Sequence, residues 1–430
     1  MRKNTLSLAA LLAVVACGDI PTDPVVMTET AAALDAAPIT DPFDPNSNDE
    51  DSGVSANIAQ SMTSYVTDCT FTTSGSVMAL DGDCTTDATI LVPDGMTLDG
   101  NGHTITAVDP ASDHFRGAVV ANGGSWAAVR DLNVTVSNLV NACDEGDDRL
   151  RGIMFEGASG EITMNRVVGL NQGPSGCQEG NAIEVRNAPF DGTHPNTRSV
   201  LVSHNEIDTY QKTGIVANGD VAVVIEHNTL GASATQQNLA ANGIQLGFGA
   251  SGALQYNHLD GNQWLEPSNF AASAILVFDA DVANVSHNRV GGNSDVGLFV
   301  SAAGGLNDYN DVRDFGSDGP HGDFGIADVG SGNIFNNSLV CGFVTSVFPD
   351  PLPGSQNKAL PDPACAVGTR LPFPSWDPPR SERGGRPLTL GSPTWIGAAC
   401  ARLDRGASAP SASPLPRKPS GPPLRESRDT

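Results

Sequence analysis

Short runs of alternating apolar and polar residues recur between residues 150 and 345, without the 3.6-residue period of an amphipathic helix. Each run begins with a small residue followed by an aliphatic one. These pairs are Gly152-Ile153, Ala182-Ile183, Gly214-Ile215, Gly243-Ile244, Ala274-Ile275, Gly297-Leu298 and Gly325-Ile326, at steps of 30, 32, 29, 31, 23 and 28 residues. A period of about 20 to 50 residues built from short strands predicts a solenoid of stacked β-coils.

A second signature, Asn, any residue, then an aliphatic residue, follows each pair. Its asparagines are Asn165, Asn205, Asn228, Asn257, Asn288, Asn310 and Asn337. In six of the seven units the Asn lies 12 to 14 residues after the small residue, and in the other a loop from 187 to 198 is inserted. One amide per coil predicts a stacked ladder that satisfies backbone groups at a bend, rather than a catalytic set.

The alternation within a strand predicts which side chains face the core. In the unit that starts at Ala182, Ile183 and Val185 are expected to point inward, and Glu184 and Arg186 outward. The residue before each Asn varies in type, and the histidines at 204, 227 and 287 alternate there with Met, Tyr and Asn. Such variety favours packing over a metal site.

Three stretches, DGMTLDGNGHTI, YQKTGI and ANGIQLGFGASG, resemble the right-handed parallel β-helix proteins, which include pectate lyases and polygalacturonases. The likeness covers about residues 77 to 345. It implies an all-β fold, a right-handed parallel β-helix of about nine coils, whose two open ends need caps. We place the β-helix at 61–345 and a C-terminal cap segment at 346–365.

Composition narrows the function classes. The 430 residues hold 23 Lys and Arg against 49 Asp and Glu, a net charge of −26. This excludes a nucleic-acid binder that works by neutralising phosphates. Residues 366–430 differ, with 10 of the basic residues and only 5 of the acidic ones, and they predict a disordered tail or an out-of-frame translation.

The N-terminus has the features of an export signal. Arg2 and Lys3 precede an apolar run that is too short to span a bilayer. The sequence VVACG, which contains Ala16 and Cys17, resembles the lipobox of bacterial lipoproteins. This implies a lipoprotein signal peptide at residues 1–17, lipidation of Cys17 and an outer-membrane or extracellular location. An ordinary secretory peptide is the alternative. Residues 18–60 are then a flexible tether.

The cysteines indicate an oxidising compartment. Three disulfides are plausible from position along the coils, in the pairs Cys69–Cys84, Cys143–Cys177 and Cys341–Cys365. The second pair is the best argued, because both residues lie in loops just before a strand and adjacent coils stack those loops.

Lys212, the only Lys between Lys3 and Lys358, suggests lyase chemistry. The resemblance implies a Lys or Arg base that removes the proton beside a uronate carboxylate, helped by Ca²⁺. Lys212 as base needs a lowered pKa, which Arg186 would favour and Glu184 would oppose. Alternatively, Lys212 pairs with an acidic neighbour and fixes a turn. The outward residues Asn218 and Gln245 are the expected substrate-binding groups.

An acidic loop is the expected calcium site, because hard oxygen donors cluster there. Its residues are Asp144, Glu145, Asp147 and Asp148. Solvated surface is the alternative interpretation. The negative charge of the chain would repel a polyuronate unless cations bridge it, so either Ca²⁺-dependent binding or a neutral ligand is favoured.

A glycosidase is the second enzymatic possibility. Glu156 and Glu184 occupy outward positions on successive coils and could approach the separation of about 5 to 10 Å that such enzymes need. The polygalacturonase and pectate-lyase catalytic motifs are absent from the equivalent coils.

Two function classes follow. One is an exported, lipid-anchored β-helix protein that binds and cleaves an extracellular polysaccharide, as a lyase before a hydrolase. The other is a non-catalytic glycan-binding or structural envelope protein. The fold alone does not decide between them.

Overall fold

A computed structural model describes residues 67–174, 176–188, 198–233, 239–264, 271–314 and 324–360. In these ranges the chain forms β-strands and a single 3₁₀ turn, Gly146–Asp148. No helix in them is long and apolar enough to cross a membrane. The expected signal peptide with Cys17, the tether, and the tail from 366 onward lie outside the described residues.

The strands are, in chain order, β1 (Phe71–Ser74), β2 (Val77–Leu80), β3 (Cys84–Thr86), β4 (Ile90–Val92), β5 (Met96–Asp99), β6 (Thr104–Ala107), β7 (Ala118–Asn122), β8 (Trp126–Arg130), β9 (Asn133–Val136), β10 (Arg151–Glu156), β11 (Ser159–Thr163), β12 (Arg166–Val168), β13 (Asn181–Asn187), β14 (Arg198–Ser203), β15 (Glu206–Asp208), β16 (Thr213–Gly219), β17 (Val221–Glu226), β18 (Thr229–Leu230), β19 (Asn242–Gly247), β20 (Ser251–Gln255), β21 (His258–Asp260), β22 (Ser273–Ala280), β23 (Ala283–Ser286), β24 (Arg289–Gly291), β25 (Val296–Ala302), β26 (Gly305–Asp308), β27 (Asp311–Arg313), β28 (Phe324–Asp328), β29 (Asn333–Asn336), β30 (Leu339–Cys341), β31 (Thr345–Phe348), β32 (Gly354–Ser355) and β33 (Lys358–Leu360).

Every third strand stacks into the same sheet. Sheet I contains β4, β7 and so on to β31, and sheet III contains β3, β6 and so on to β33. Sheet II contains β2, β5 and so on to β23 and is continued by β26, β29 and β32. Neighbours in the stack pair in parallel, for example β10 with β13 and β13 with β16. This confirms the parallel β-helix.

The described residues contain ten complete coils, one for each strand of sheet I, where about nine were expected. The first two coils, β4 to β9, lack the pair of a small and an aliphatic residue that marks the seven predicted units. The expected cap segment adds the last coil, since β31, β32 and β33 extend the three sheets to Leu360.

One column of aliphatic side chains runs through the core of sheet I. Its members are in register from coil to coil and at most 1% exposed: Ile153, Ile183, Ile215, Ile244, Ile275, Leu298 and Ile326. They are the aliphatic residues of the seven predicted pairs. Each buried side chain contributes about 1.5 to 3 kcal/mol of hydrophobic stabilisation, so the column is a main reason why the coils stack in this register.

The residue before each of these aliphatics must be small. A Cβ atom added at Gly214 would lie 2.6 Å from the carbonyl oxygen of Gly243, and one added at Gly243 would lie 2.5 Å from that of Ala274. Adjacent coils therefore approach each other through backbone at this position, and only Gly and Ala occupy it.

The asparagine ladder forms as predicted in six coils. Its residues are at most 2% exposed and donate in sequence from Nδ2 to the next Oδ1 at 2.9 to 3.1 Å: Asn165, Asn205, Asn228, Asn257, Asn288 and Asn310. The assignment of Asn337 to the ladder is wrong by one residue. Ser338 takes the ladder position, because Leu339 pairs with Asp311, and Asn337 adopts the left-handed conformation with φ of 53°.

That left-handed position precedes the ladder residue in each coil and carries a stack of rings. Centroids are 5.0 Å apart for His204–His227, 5.1 Å for His227–Tyr256, 4.7 Å for Tyr256–His287 and 5.0 Å for His287–Tyr309. The rings therefore pack against one another, in line with the packing interpretation of this column.

Two of the expected disulfides are present. Cys69–Cys84 fastens the N-terminal end, where β1 pairs antiparallel with β2, and Cys143–Cys177 joins the loops that precede β10 and β13. Cys341 is also disulfide-bonded, and Cys365 lies outside the described residues. Stacking of successive coils brings these sequence-distant loops together.

Candidate functional site

The outward face of sheet I carries the predicted polar residues, yet they are largely buried. Glu184 is 5% exposed, Asn218 9% and Gln245 1%. The connection that precedes β10 folds over this face, because Arg186 contacts the carboxylate of Asp147 and Arg151 contacts backbone carbonyls of the same loop. This loop covers the part of the face that carries Glu184 and Arg186, whereas Asn218 and Gln245, on later coils, bond to each other.

The centre of this face is a charged cluster of Asp147, Arg151, Glu156, Glu184 and Arg186. Arg186 donates from Nε to Glu156 and from an η nitrogen to Asp147, and its Nε lies 3.9 Å from Oε1 of Glu184. Arg151 donates from Nε to Oε2 of Glu184 at 2.6 Å. The cluster thus brings together three of the four predicted catalytic residues.

Arg151 was missed by the sequence analysis and is the most deeply buried cation of the cluster, at 1% exposed. Its η nitrogens donate to the carbonyl oxygens of Gly146 at 2.9 Å, Asp147 at 3.2 Å and Arg149 at 2.8 Å. Alternation gives Arg151 the same side of the strand as the inward Ile153, so the sequence pattern carries no signal that it joins the outward cluster.

The two glutamates have pKa values displaced in opposite directions. Burial raises the pKa of Glu156 to about 7, because lost hydration outweighs the attraction of Arg186. Burial alone would also raise the pKa of Glu184, but the attraction of Arg151 and then Arg186 more than offsets it and lowers the pKa to about 2. Near neutral pH, one carboxyl can hold a proton while the other is ionised.

The two carboxyl groups are close enough to act on one bond. Glu156 pairs with Arg186 across β10 and β13, and Glu184 pairs with Met154, so the glutamates are diagonal neighbours. Oxygen atoms of both approach Nε of Arg186, one by a hydrogen bond and the other at 3.9 Å. Those two oxygens are therefore within about 7 Å of each other, in the range of carboxyl pairs that cleave glycosidic bonds.

Lys212 lies outside the charged cluster. It is 7% exposed and donates from Nζ to the carbonyl oxygen of Ala240 at 2.6 Å. Its backbone aligns with Gly180, four residues before Glu184, so the Cα positions of Lys212 and Glu184 are about 13 Å apart along the strand direction. The structure does not place Lys212 beside Arg186, the neighbour expected to lower its pKa.

The predicted substrate-binding residues belong to a buried chain of hydrogen bonds. Gln245 donates to Asn218 at 3.2 Å, Asn242 donates to Gln245 at 3.3 Å, and Ser273 donates to Asn242 at 2.7 Å. Since each of these polar groups already has a protein partner, the chain fastens successive coils together.

The carboxylates of the acidic loop contact different partners. The pairs are Asp144–His114 at 2.8 Å, Asp147–Arg186, and Asp148–Arg116 at 3.7 Å, while Glu145 is exposed. Within the described ranges, the one group of three or more ligating side chains within 4.8 Å is Asp68, Cys69 and Cys84, and its cysteines are disulfide-bonded. Calcium binding by the acidic loop stays a prediction.

No family model matches the chain, and no curated protein matches it.

Proposed function

We propose that this protein cleaves an extracellular polysaccharide by hydrolysis at the charged cluster of sheet I. Glu156 serves as the general acid and Glu184 as the ionised carboxylate that stabilises positive charge on the sugar. The observation that carries the proposal is one guanidinium, Arg186, shared by two carboxyl groups whose pKa values are about 7 and about 2.

Glycoside hydrolysis needs this division of roles. The acid must hold its proton near neutral pH and deliver it to the leaving oxygen as the glycosidic bond breaks, and the second carboxylate must stay ionised as the oxocarbenium charge develops. Water then adds to the anomeric carbon and gives up a proton to the first carboxylate, which restores the acid. Glu156 fits the acid, and Glu184 is ionised across the physiological range. Asp147, whose side chain is 57% exposed, is the member of the cluster that a sugar would meet first.

We favour hydrolysis over the lyase mechanism because of the hydrogen bond that Lys212 makes. A Lys that acts as a base needs a free lone pair directed at the substrate. The ammonium of Lys212 instead donates to the Ala240 carbonyl, as a residue that fixes a turn would. Ca²⁺ at the acidic loop belongs to the lyase alternative.

Export, lipidation at Cys17, an outer-membrane or extracellular location and a polysaccharide partner form part of the same proposal. The disulfides Cys69–Cys84 and Cys143–Cys177 support export, because such bonds persist in oxidising compartments.

A second candidate is a non-catalytic glycan-binding or structural envelope protein. The buried chain from Asn218 to Ser273 favours it, because hydrogen bonds that are satisfied within the protein build a rigid scaffold and leave few groups for a substrate.

The test is a screen of the purified protein on neutral and uronate-containing polysaccharides, with assays for reducing ends and for unsaturated products. We expect reducing ends without unsaturation, and a loss of about 10² to 10⁴-fold in kcat for Glu156→Gln. The matched control is Glu161→Gln, on the outward face of sheet II, which should retain full activity.

Other outcomes would redirect the proposal. Unsaturated product that disappears with chelator and in Lys212→Ala would establish the lyase instead. No turnover on any polymer, by a protein with a normal β-sheet circular dichroism spectrum, would favour the non-catalytic candidate.

A further inference from the structure

A groove follows the outward face of sheet III, on a different sheet from the charged cluster. It has a volume of about 310 Å³ and is lined by Glu206, Asp208, Thr229, Gly231, His258 and Asp260. A smaller depression of about 130 Å³ adjoins it, shares His258, and is lined also by Arg289 and Arg313. The groove therefore crosses several successive coils.

Two columns of residues in register form its floor. One column runs Glu206, Thr229, His258 and Arg289 through the pairings of β15, β18, β21 and β24. The other alternates charged residues with glycine, as Asp208, Gly231, Asp260 and Gly291. The same repeat, read three residues after each ladder Asn, would have revealed this second column.

The glycine of the second column makes room for a carboxylate. A Cβ atom added at Gly231 would lie 2.2 Å from Oδ1 of Asp208, so the Asp208 side chain leans over the glycine toward Asp260. With coils about 4.8 Å apart, the two aspartate positions are separated by about 10 Å along the coil axis. The groove thus offers carboxylates at an interval of two coils.

The polar groups of the groove are available to a ligand. Among the described residues, the side chains of Asp208, Asp260, His258 and Arg289 form no hydrogen bond and no ion pair with the protein. All four are exposed. This differs from the charged cluster, where the carboxylates and guanidinium groups are already bonded to one another.

The hydrogen-bonding groups that line the groove indicate which class of ligand it can bind. Carboxylates accept hydrogen bonds from hydroxyl groups, while arginine and imidazole donate to hydroxyl and ring oxygens. The exposed lining is apolar as well as polar, which suits a ligand that presents both hydroxyl groups and the apolar C–H faces of sugar rings. The chain's net charge of −26 and the acidic half of the groove disfavour a polyanion.

We infer that the groove on sheet III binds an extended segment of a neutral, hydroxyl-rich polysaccharide, as a site separate from the charged cluster. Its straight path along the coil axis suits a linear chain, and the alternation of charged residue and glycine suits a ligand whose hydroxyl pattern repeats every two sugar units. The inference does not depend on hydrolysis, because no residue of the charged cluster lines the groove.

The test is titration calorimetry with four neutral hexasaccharides, cellohexaose, xylohexaose, mannohexaose and maltohexaose, and with the anionic hexagalacturonate for comparison. The protein carries Glu156→Gln so that cleavage cannot remove the ligand. We expect at least one hexasaccharide to bind, and its affinity to fall about tenfold in Asp260→Asn, which loses a charged acceptor, and in Gly231→Ala, whose new Cβ displaces Asp208.

Two control variants match these changes outside the groove. Glu161→Gln removes a carboxylate on sheet II, and Gly82→Ala adds a Cβ where no atom lies within 4 Å. Both should bind as tightly as the parent protein. The inference is overturned if none of the four hexasaccharides binds, if the groove variants bind as well as the controls, or if hexagalacturonate alone binds.

Discussion

The charged cluster on sheet I and the groove on sheet III are built from the same kinds of residue on neighbouring coils, yet their environments are opposite. Glu184 in the cluster is 5% exposed and bonded to Arg151 and Asn181. Asp208 in the groove is exposed and has no hydrogen bond from a described residue to its carboxylate. The charged side chains of the cluster bind one another, whereas those of the groove are open to a ligand.

The lengths of the preceding connections explain the difference. Fourteen residues separate β9, which ends at Val136, from β10, which begins at Arg151, and this loop folds back over sheet I. The strands of sheet III follow those of sheet II after a two-residue bend such as His204-Asn205. A bend of that length cannot cover a sheet face, so outward polar groups on sheet III stay in water.

The largest expected difference between the regions is in the response to losing an arginine. Arg151→Met should lower the free energy of unfolding by about 3 to 5 kcal/mol, because it leaves Glu184 buried with one cation fewer. Arg289→Met, in the groove, should change it by less than about 0.5 kcal/mol. Urea unfolding followed by circular dichroism measures both, and equal effects would contradict the comparison.

Removal of the loop disulfide should come next in size. Cys143→Ser with Cys177→Ser frees the loop that supplies Asp147 and the carbonyls bonded to Arg151, at a cost of about 2 to 4 kcal/mol. Hydrogen exchange should then rise in β10 and β13. Oligosaccharide binding on sheet III should not change, and a loss of that binding would show that the two regions are coupled.

The pH dependence of stability separates the two glutamates. The folded pKa of Glu156 is raised from 4.5 to about 7, so its contribution, about 3 kcal/mol at most, is present at low pH and is lost as pH rises from 4.5 to 7. The folded pKa of Glu184 is lowered to about 2, so its contribution is lost as pH falls from 4.5 to 2.

Urea titrations of Glu156→Gln at pH 4 and pH 7.5 test this assignment. Gln resembles the protonated acid, so the variant should lose less stability than the wild type between these two values. Asp260→Asn, an exposed groove variant, should follow the wild-type profile. A parallel profile for Glu156→Gln would show that the pKa of Glu156 is not raised.

The smallest effect is expected in the ring stack beside sheet III. Burial lowers the pKa of His204 and of His287, so their contribution to stability is present above the ordinary histidine pKa and is lost as pH falls below it. His287→Phe keeps a ring in the stack and removes one titrating group. The difference in melting temperature between the variant and the wild type should therefore shift in favour of the variant as pH falls from 7 to 5, as measured by thermal scans.

The sequence predicts the repeating coils, but it does not predict which sheet face a loop covers. The small-aliphatic pairs predicted the register of sheet I, and the Asn column predicted the ladder, because both are local requirements that recur in every coil. Asn337 was placed one residue off, since an adjacent Asn and Ser at the bend look alike without the strand pairing that aligns Ser338 with Asn310.

Only those features of the two sites that follow from the repeat could be predicted from the sequence. The outward direction of Glu184 and Arg186 follows from alternation, but their burial depends on the path of the loop from 137 to 150, which has no period. Asp208 and Asp260 were missed because they are far apart in sequence and become neighbours only when the coils are aligned on the ladder.

The most direct test of the central claim is the activity of the wild type against Glu156→Gln, with Asp260→Asn and Glu161→Gln as controls, on a neutral polysaccharide that the protein binds. The account predicts new reducing ends from the wild type, from Glu161→Gln and, at saturating substrate, from Asp260→Asn, and a loss of at least about 10² in kcat for Glu156→Gln. Full activity of Glu156→Gln would contradict the assignment of catalysis to the charged cluster.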